Sequence, residues 1–142
     1  QEIPQAADSS TTFISGLSMG GFGTLHLGGK YPHLFKGISA HSAITAFRQM
    51  KLFVEEPLAD YQPISEEDAD CFHILRKHKD QLPPLRFDCG RDDLLIEYNR
   101  KLHQQLEEEG IAHSYEEFDG AHEWPYWEKH LVDTLLFFNQ QL

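Results

Sequence analysis

The stretch Phe13-Ile14-Ser15-Gly16-Leu17-Ser18-Met19-Gly20-Gly21-Phe22-Gly23 decides the fold. A short apolar run breaks into glycines with a serine at the break, which reads as a β-strand passing through a tight turn into a helix. Ser18 stands at the apex, inside the pattern Gly16-x-Ser18-x-Gly20, the turn called a nucleophile elbow. The glycines have a mechanical reason. The turn holds Ser18 in a strained backbone conformation, and side chains at 16 and 20 are expected to collide with neighbouring backbone. That strain pushes the serine oxygen into a pocket and aims the Met19 amide, with the first helical turn, at negative charge developing beside Ser18.

Working outward, residues 1–10 (QEIPQAADSS) are polar, with Ile3-Pro4 resembling the end of a helix. The strand is expected over Thr11–Ser15. The helix runs from Met19 to about Lys30, with Met19, Phe22 and Leu25 inward, weakened near its end by Gly28 and Gly29 and closed by Tyr31-Pro32. Phe35–Ser42 reads as a second strand. From Ala43 to Gln81 there is no strong period, and this segment is read as a mixed helical excursion forming a lid or pocket wall. Leu85–Cys89 is a third strand. Leu94–Glu109 is an amphipathic helix with Leu95, Tyr98, Leu102 and Leu106 along one face, capped by Gly110. His113–Phe118 is a fourth strand near a sheet edge, and Pro125–Gln141 a helix burying Trp127, Leu131, Leu135 and Phe138. Strands alternating with helices at this spacing give an α/β fold of parallel βα units.

The 142 residues make one domain, and 40% hydrophobic content with 17 aromatic residues makes it globular. Asp and Glu outnumber Lys and Arg by 23 to 12, a formal charge of −11. Nucleic acid and anionic membrane surfaces both require a basic footprint, so neither is an expected partner. No run approaches the roughly 20 apolar residues that span a bilayer. Cys71 and Cys89 are too few for a disulfide framework and lack zinc-site spacing, so both read as free thiols. With no leader pattern at Gln1, the expected compartment is cytoplasmic, secretion staying open.

In such a sheet the reactive groups collect where strands end. The first strand ends at Ser18, the third at Asp92-Asp93, and the fourth at Asp119-Gly120-Ala121-His122. The order is serine, acid, histidine, that of α/β-hydrolases. A serine hydroxyl is a poor nucleophile at neutral pH and needs a base, which His122 supplies; a carboxylate must then orient the imidazole. Asp88, Asp92, Asp93 and Asp119 are candidates. Asp88 lies inside a strand and Asp119 is too near His122 in sequence, so Asp93 is the choice and Asp92 the reserve. Most of the nine histidines are expected at the surface. His41, ending the second strand, reads as pocket-lining or structural. His122-Glu123-Trp124-Pro125-Tyr126 begins like the zinc motif HExxH, but Tyr126 stands where the second histidine is required, so no metal or other cofactor is expected. Trp124, Tyr126 and Trp127 are candidates for an aromatic wall over the substrate, Trp127 also fitting a core position.

Three blocks resemble the putative-esterase family of α/β-hydrolases, which includes tributyrin esterases, feruloyl esterases and S-formylglutathione hydrolases. They are Gly16–Gly23, Asp88–Leu95 and Gly120–Trp127; the segment 43–81 matches least. In the second block the family's glycine, two variable residues and catalytic aspartate fall on Gly90 and Asp93. Leu17 and Phe22 stand where S-formylglutathione hydrolases typically carry histidines, so the likeness is closer to short-chain and feruloyl-type esterases. The resemblance implies hydrolysis of small acyl esters through an acyl-enzyme, by Ser18, Asp93 and His122. The Met19 amide would serve as oxyanion donor, with Trp124 and His41 at the substrate.

The family's sheet has about eight strands, several of them before the elbow, whereas the elbow serine here is residue 18. The chain is therefore expected to be the C-terminal part of an α/β-hydrolase, about four parallel strands flanked by helices, without the loop that supplies a second oxyanion donor. Two consequences are expected. The chain acts as an esterase, or as a catalytically incompetent fragment that binds ligands or partners; and the unpaired outer edge of the first strand invites a partner chain or self-association.

Overall fold

In the computed structural model, residues 12–61 and 65–142 are described. The expected helix end at Ile3-Pro4 lies outside them. Four strands, β1 (Phe13–Leu17), β2 (Gly37–His41), β3 (Leu85–Gly90) and β4 (Ser114–Phe118), form one parallel sheet in the sequential order β1-β2-β3-β4. Helices α1 (Met19–Lys30), α2 (Cys71–Lys77), α3 (Ile96–Glu108) and α4 (Trp124–Asn139) connect and flank them. The alternation read from the sequence is the alternation present. β1 begins two residues later than expected and runs to Leu17, directly into the turn at Ser18. β2 is shorter than expected, opening at Gly37.

The register sets Leu17, His41 and Asp88 side by side across β1, β2 and β3. Because all four strands are parallel, their C-terminal ends open along one edge, where Ser18, Ser42, Asp93 and His122 follow. β2 and β3 are buried along their whole lengths, as central parallel strands must be when both faces are covered. β4 closes one edge, as expected. β1 pairs only with β2 among the described residues.

The main core packs Leu25, Ile38, Leu75, Phe87, Leu102 and Leu106 between the helices and the sheet. Each such side chain contributes about 1.5–3 kcal/mol by leaving water. Gly28 does not merely weaken α1: a Cβ there would come within 2.8 Å of Ile38, so its absence lets the helix lie directly on β2. Residues 43–61 are irregular, with short 3₁₀ turns at Phe47–Leu52 and Leu58–Asp60, and α2 lies in the later part of the segment expected to be a mixed helical excursion. An Asp70 carboxylate accepting the Phe72 amide at 2.9 Å starts α2.

Three helix faces differ from expectation. Met19 is 51% exposed because it sits in the first turn at the open end of the sheet, although Leu25 is buried. On α3, Asn99 takes the buried place expected for Tyr98, donating to the carbonyls of Ala43 and Leu95. On α4, Leu131 and Leu135 are more than half exposed, beside equally exposed Val132 and Leu136. The buried side is Trp127, His130 and Thr134, at helical spacing, because polar groups of β2 and β3 draw Thr134 inward. No helix among the described residues is long and apolar enough to cross a membrane. Cys71 and Cys89 are free and buried, and burial pushes both thiols well above the usual range.

Candidate active site

Ser18 sits between β1 and α1 with φ 54° and ψ −117°, a conformation that non-glycine residues rarely adopt. Three backbone bonds over-determine it. The Ser18 amide donates to the His41 carbonyl at 3.0 Å, and its own carbonyl accepts from Phe22 and Ile44, each at 3.1 Å. Gly16 is required here, since a Cβ would lie 2.3 Å from the Gly20 carbonyl oxygen. Gly20 itself is different from expectation: a Cβ there would meet nothing within 4 Å, because position 20 already faces outward from the helix.

The turn brings Ser18 Oγ to 2.8 Å from His122 Nε2. His122 Nδ1 lies 2.8 Å from Asp93 Oδ2. The side chain of Asp93 is wholly buried, and its second oxygen accepts the Leu95 amide at 2.8 Å, just ahead of α3. Residues 75 and 29 positions apart in the chain thus meet in a line of serine, imidazole and carboxylate, an arrangement in which the imidazole can take the serine proton while the carboxylate holds the ring. The other carboxylates are placed elsewhere. Asp92 is exposed, Asp119 pairs with Arg91 at 2.6 Å, and Asp88 belongs to a separate buried group.

Two rings hold His122. Phe53, from the irregular segment, lies with its centroid 5.0 Å away, and Trp127 meets the imidazole edge-on at 4.9 Å. Trp127 is anchored in turn by donating its indole N–H to Ser42 Oγ at 3.1 Å, and Ser42, like Ser18, has a positive φ, at 46°. Neither Phe53 nor Ser42 carries a sequence signal: one lies in a stretch without period, the other ends a strand like any serine. Trp124 is 65% exposed and stands edge-on to Trp127, so it borders the open space above the site.

His41 and Tyr126 do not line that space. His41 is 3% exposed, its Nδ1 2.8 Å from Asp88 Oδ2 and its Nε2 2.6 Å from Thr134 Oγ1. Tyr126 is buried and donates to Asp88 Oδ1 at 2.7 Å, while Arg86 reaches the same carboxylate at 2.8 Å. The reason is local: an aspartate on a fully buried strand must collect donors, and these are the ones within reach. Burial works against its charge, but His41, Arg86 and Tyr126 outweigh burial and hold Asp88 below the usual carboxylate range. Tyr126 is pushed above the usual phenol range by burial and by the Asp88 charge. The expectation of mostly surface histidines is likewise corrected, since only His33 and His73 of the nine are exposed. All of the rest but His78 stand against an aromatic ring or a carboxylate, as His26 does against Phe22 and His130 against Phe118.

Residues 2–138 match the family model described as "Putative esterase". An acetyl esterase of Caldicellulosiruptor saccharolyticus is 33% identical over 93% of this chain, which spans 55% of that protein's length. A ferulic acid esterase structure superposes with a TM-score of 0.81 at 26% identity, over 95% of this chain and 53% of the other. An S-formylglutathione hydrolase from Staphylococcus aureus gives 0.82 at 21% identity, over 96% and 57%, a likeness of fold. The chain spans about half the length of these relatives. Parallel sheet, serine turn and family match agree: the chain belongs to the esterase family of α/β-hydrolases.

Proposed function

We propose that the chain carries the catalytic residues of a serine ester hydrolase that cleaves small acyl esters through an acyl-enzyme. Ser18 Oγ attacks the ester carbonyl while His122 takes the serine proton. Asp93 holds the imidazole in the tautomer that keeps Nε2 free for this and stabilises the imidazolium that results. The Met19 amide, first in α1, donates to the oxyanion. The tetrahedral intermediate collapses to the acyl-serine as His122 passes its proton to the leaving alcohol. Water, deprotonated by His122, then releases the acid and restores Ser18.

The single observation that carries this reading is the pair of 2.8 Å contacts from Ser18 through His122 to buried Asp93. The strained serine supports it, because such conformations persist where function requires them. Similarity to an acetyl esterase favours a short acyl group.

A fluorophosphonate probe with mass spectrometry of the adduct tests the proposal. Ser18 is expected to be the labelled residue, and Ser18→Ala to lose both labelling and hydrolysis of p-nitrophenyl acetate. An unlabelled Ser18 in folded protein, or unchanged hydrolysis by Ser18→Ala, overturns it.

A further inference from the structure

A second cluster of histidines lies at the other end of the sheet. His103 and Glu107 stand one turn apart on the same face of α3, and His113 immediately precedes β4. The triad gathers at the C-terminal ends of the parallel strands, whereas the last turns of α3 and the start of β4 lie at the opposite edge. One ligand-type atom from each of the three residues falls within 4.8 Å of the other two. His103 Nδ1 is 2.7 Å from His113 Nε2, and Glu107 Oε1 is 4.0 Å from that same nitrogen.

The tautomer of His113 is fixed. Its Nδ1 lies 2.7 Å from the Ile111 carbonyl, which can only accept, so Nδ1 carries the proton and Nε2 presents its lone pair to the cluster. A backbone carbonyl on the far nitrogen is the contact that orients and strengthens an imidazole ligand at metal sites. The His113 side chain is 1% exposed, stacked on Phe87, and His103 is stacked on Tyr115 at 4.6 Å, so both rings are held in place. Glu107 is largely exposed and leaves a route from solvent.

We propose that His103, Glu107 and His113 form a binding site for a divalent transition metal of the zinc class. Two imidazoles and a carboxylate suit such an ion, while calcium and magnesium favour all-oxygen sets. When the ion enters, His103 moves its proton from Nδ1 to Nε2 by exchange with water, so that both facing nitrogens offer lone pairs and no net charge changes. The nitrogens separate from 2.7 Å to about 3.3 Å, the spacing of tetrahedral ligands at ordinary zinc–nitrogen distances. Three protein ligands leave the fourth position to water. The ion would tie the end of α3 to the start of β4, as a staple independent of Ser18.

Untagged protein, stripped with chelator, is titrated with Co²⁺ and followed by visible absorption, then challenged with Zn²⁺. A saturable one-to-one complex, displaced by Zn²⁺, is expected in the wild type and in Ser18→Ala. His103→Gln and the surface change Glu107→Gln, both checked for folding by circular dichroism, should weaken binding by more than about 10-fold, the size of loss that even supporting residues produce at metal sites. No saturable Co²⁺ complex in the wild type overturns the proposal. So does unchanged affinity in folded Glu107→Gln and His103→Gln, which would leave the histidines a simple hydrogen-bonded pair.

Discussion

Asp93 shows how much one side chain is asked to do. Its two oxygens are divided, one for His122 Nδ1 and one for the Leu95 amide, so the carboxylate cannot turn without losing a bond. Asp93→Asn keeps the shape but offers His122 a donor or a weaker acceptor. It is expected to lower kcat by about 10⁴-fold with little change in KM, because the wrong imidazole tautomer then faces Ser18. Steady-state kinetics on a chromogenic acetyl ester check this, and a loss below about 10-fold would show that Asp93 does not orient the base. The pH profile carries the same argument to His122. As an imidazole base protonates it can no longer accept from Ser18, so hydrolysis should fall on acidification; a rate flat between about pH 5 and 8 contradicts the role.

Among the elements, the strand–turn–helix from β1 to α1 is the one whose geometry is least forgiving. The close approach of Gly16 to the Gly20 carbonyl brings two backbones together, and backbone cannot swing aside as a flexible side chain can. Gly16→Ala should therefore cost at least about 1–3 kcal/mol, the usual range for overpacking. It should also move Ser18 Oγ away from His122, lowering the denaturation midpoint and the fluorophosphonate labelling rate together. A variant as stable and as quickly labelled as the wild type would show that the turn has slack. α4 gives the complementary lesson. Its apolar residues pointed to a buried leucine face, yet Thr134 and His130 face inward while Leu131 and Leu135 face out. Helical periodicity marks a stripe, and here the stripe that faces the sheet carries Trp127, His130 and Thr134 rather than the leucines.

At the scale of the whole molecule, the Asp88 group joins three elements: His41 on β2, Arg86 and Asp88 on β3, and Tyr126 and Thr134 on α4. A carboxylate held below its ordinary value of 3.8 in the fold stabilises the protein above that pH. The contribution is lost as pH falls below about 3.8, because the unfolded chain takes up the proton first. Acid unfolding followed by circular dichroism should thus steepen below that point, and Asp88→Asn should flatten this limb. At neutral pH the same change leaves Arg86 buried without its nearest counter-charge, a loss of about 3–5 kcal/mol. An acid limb identical in the variant would show that Asp88 does not drive it.

The sequence by itself determined the order of strands and helices and the serine turn, and it singled out Ser18, Asp93 and His122, which the fold brings within hydrogen-bond reach. These are local or ordered signals: glycines at a tight turn, periodicity, and reactive residues placed where strands end. Only the tertiary structure decided which of the buried polar residues serve the site and which serve the fold. His41 and Tyr126 look like pocket residues in a linear reading, but Asp88 claims them, and Phe53 and Ser42 reach the site from stretches with no pattern of their own. The physical reason is that a buried charge recruits whatever donors the packing brings near, and that proximity is a property of the folded sheet rather than of spacing along the chain.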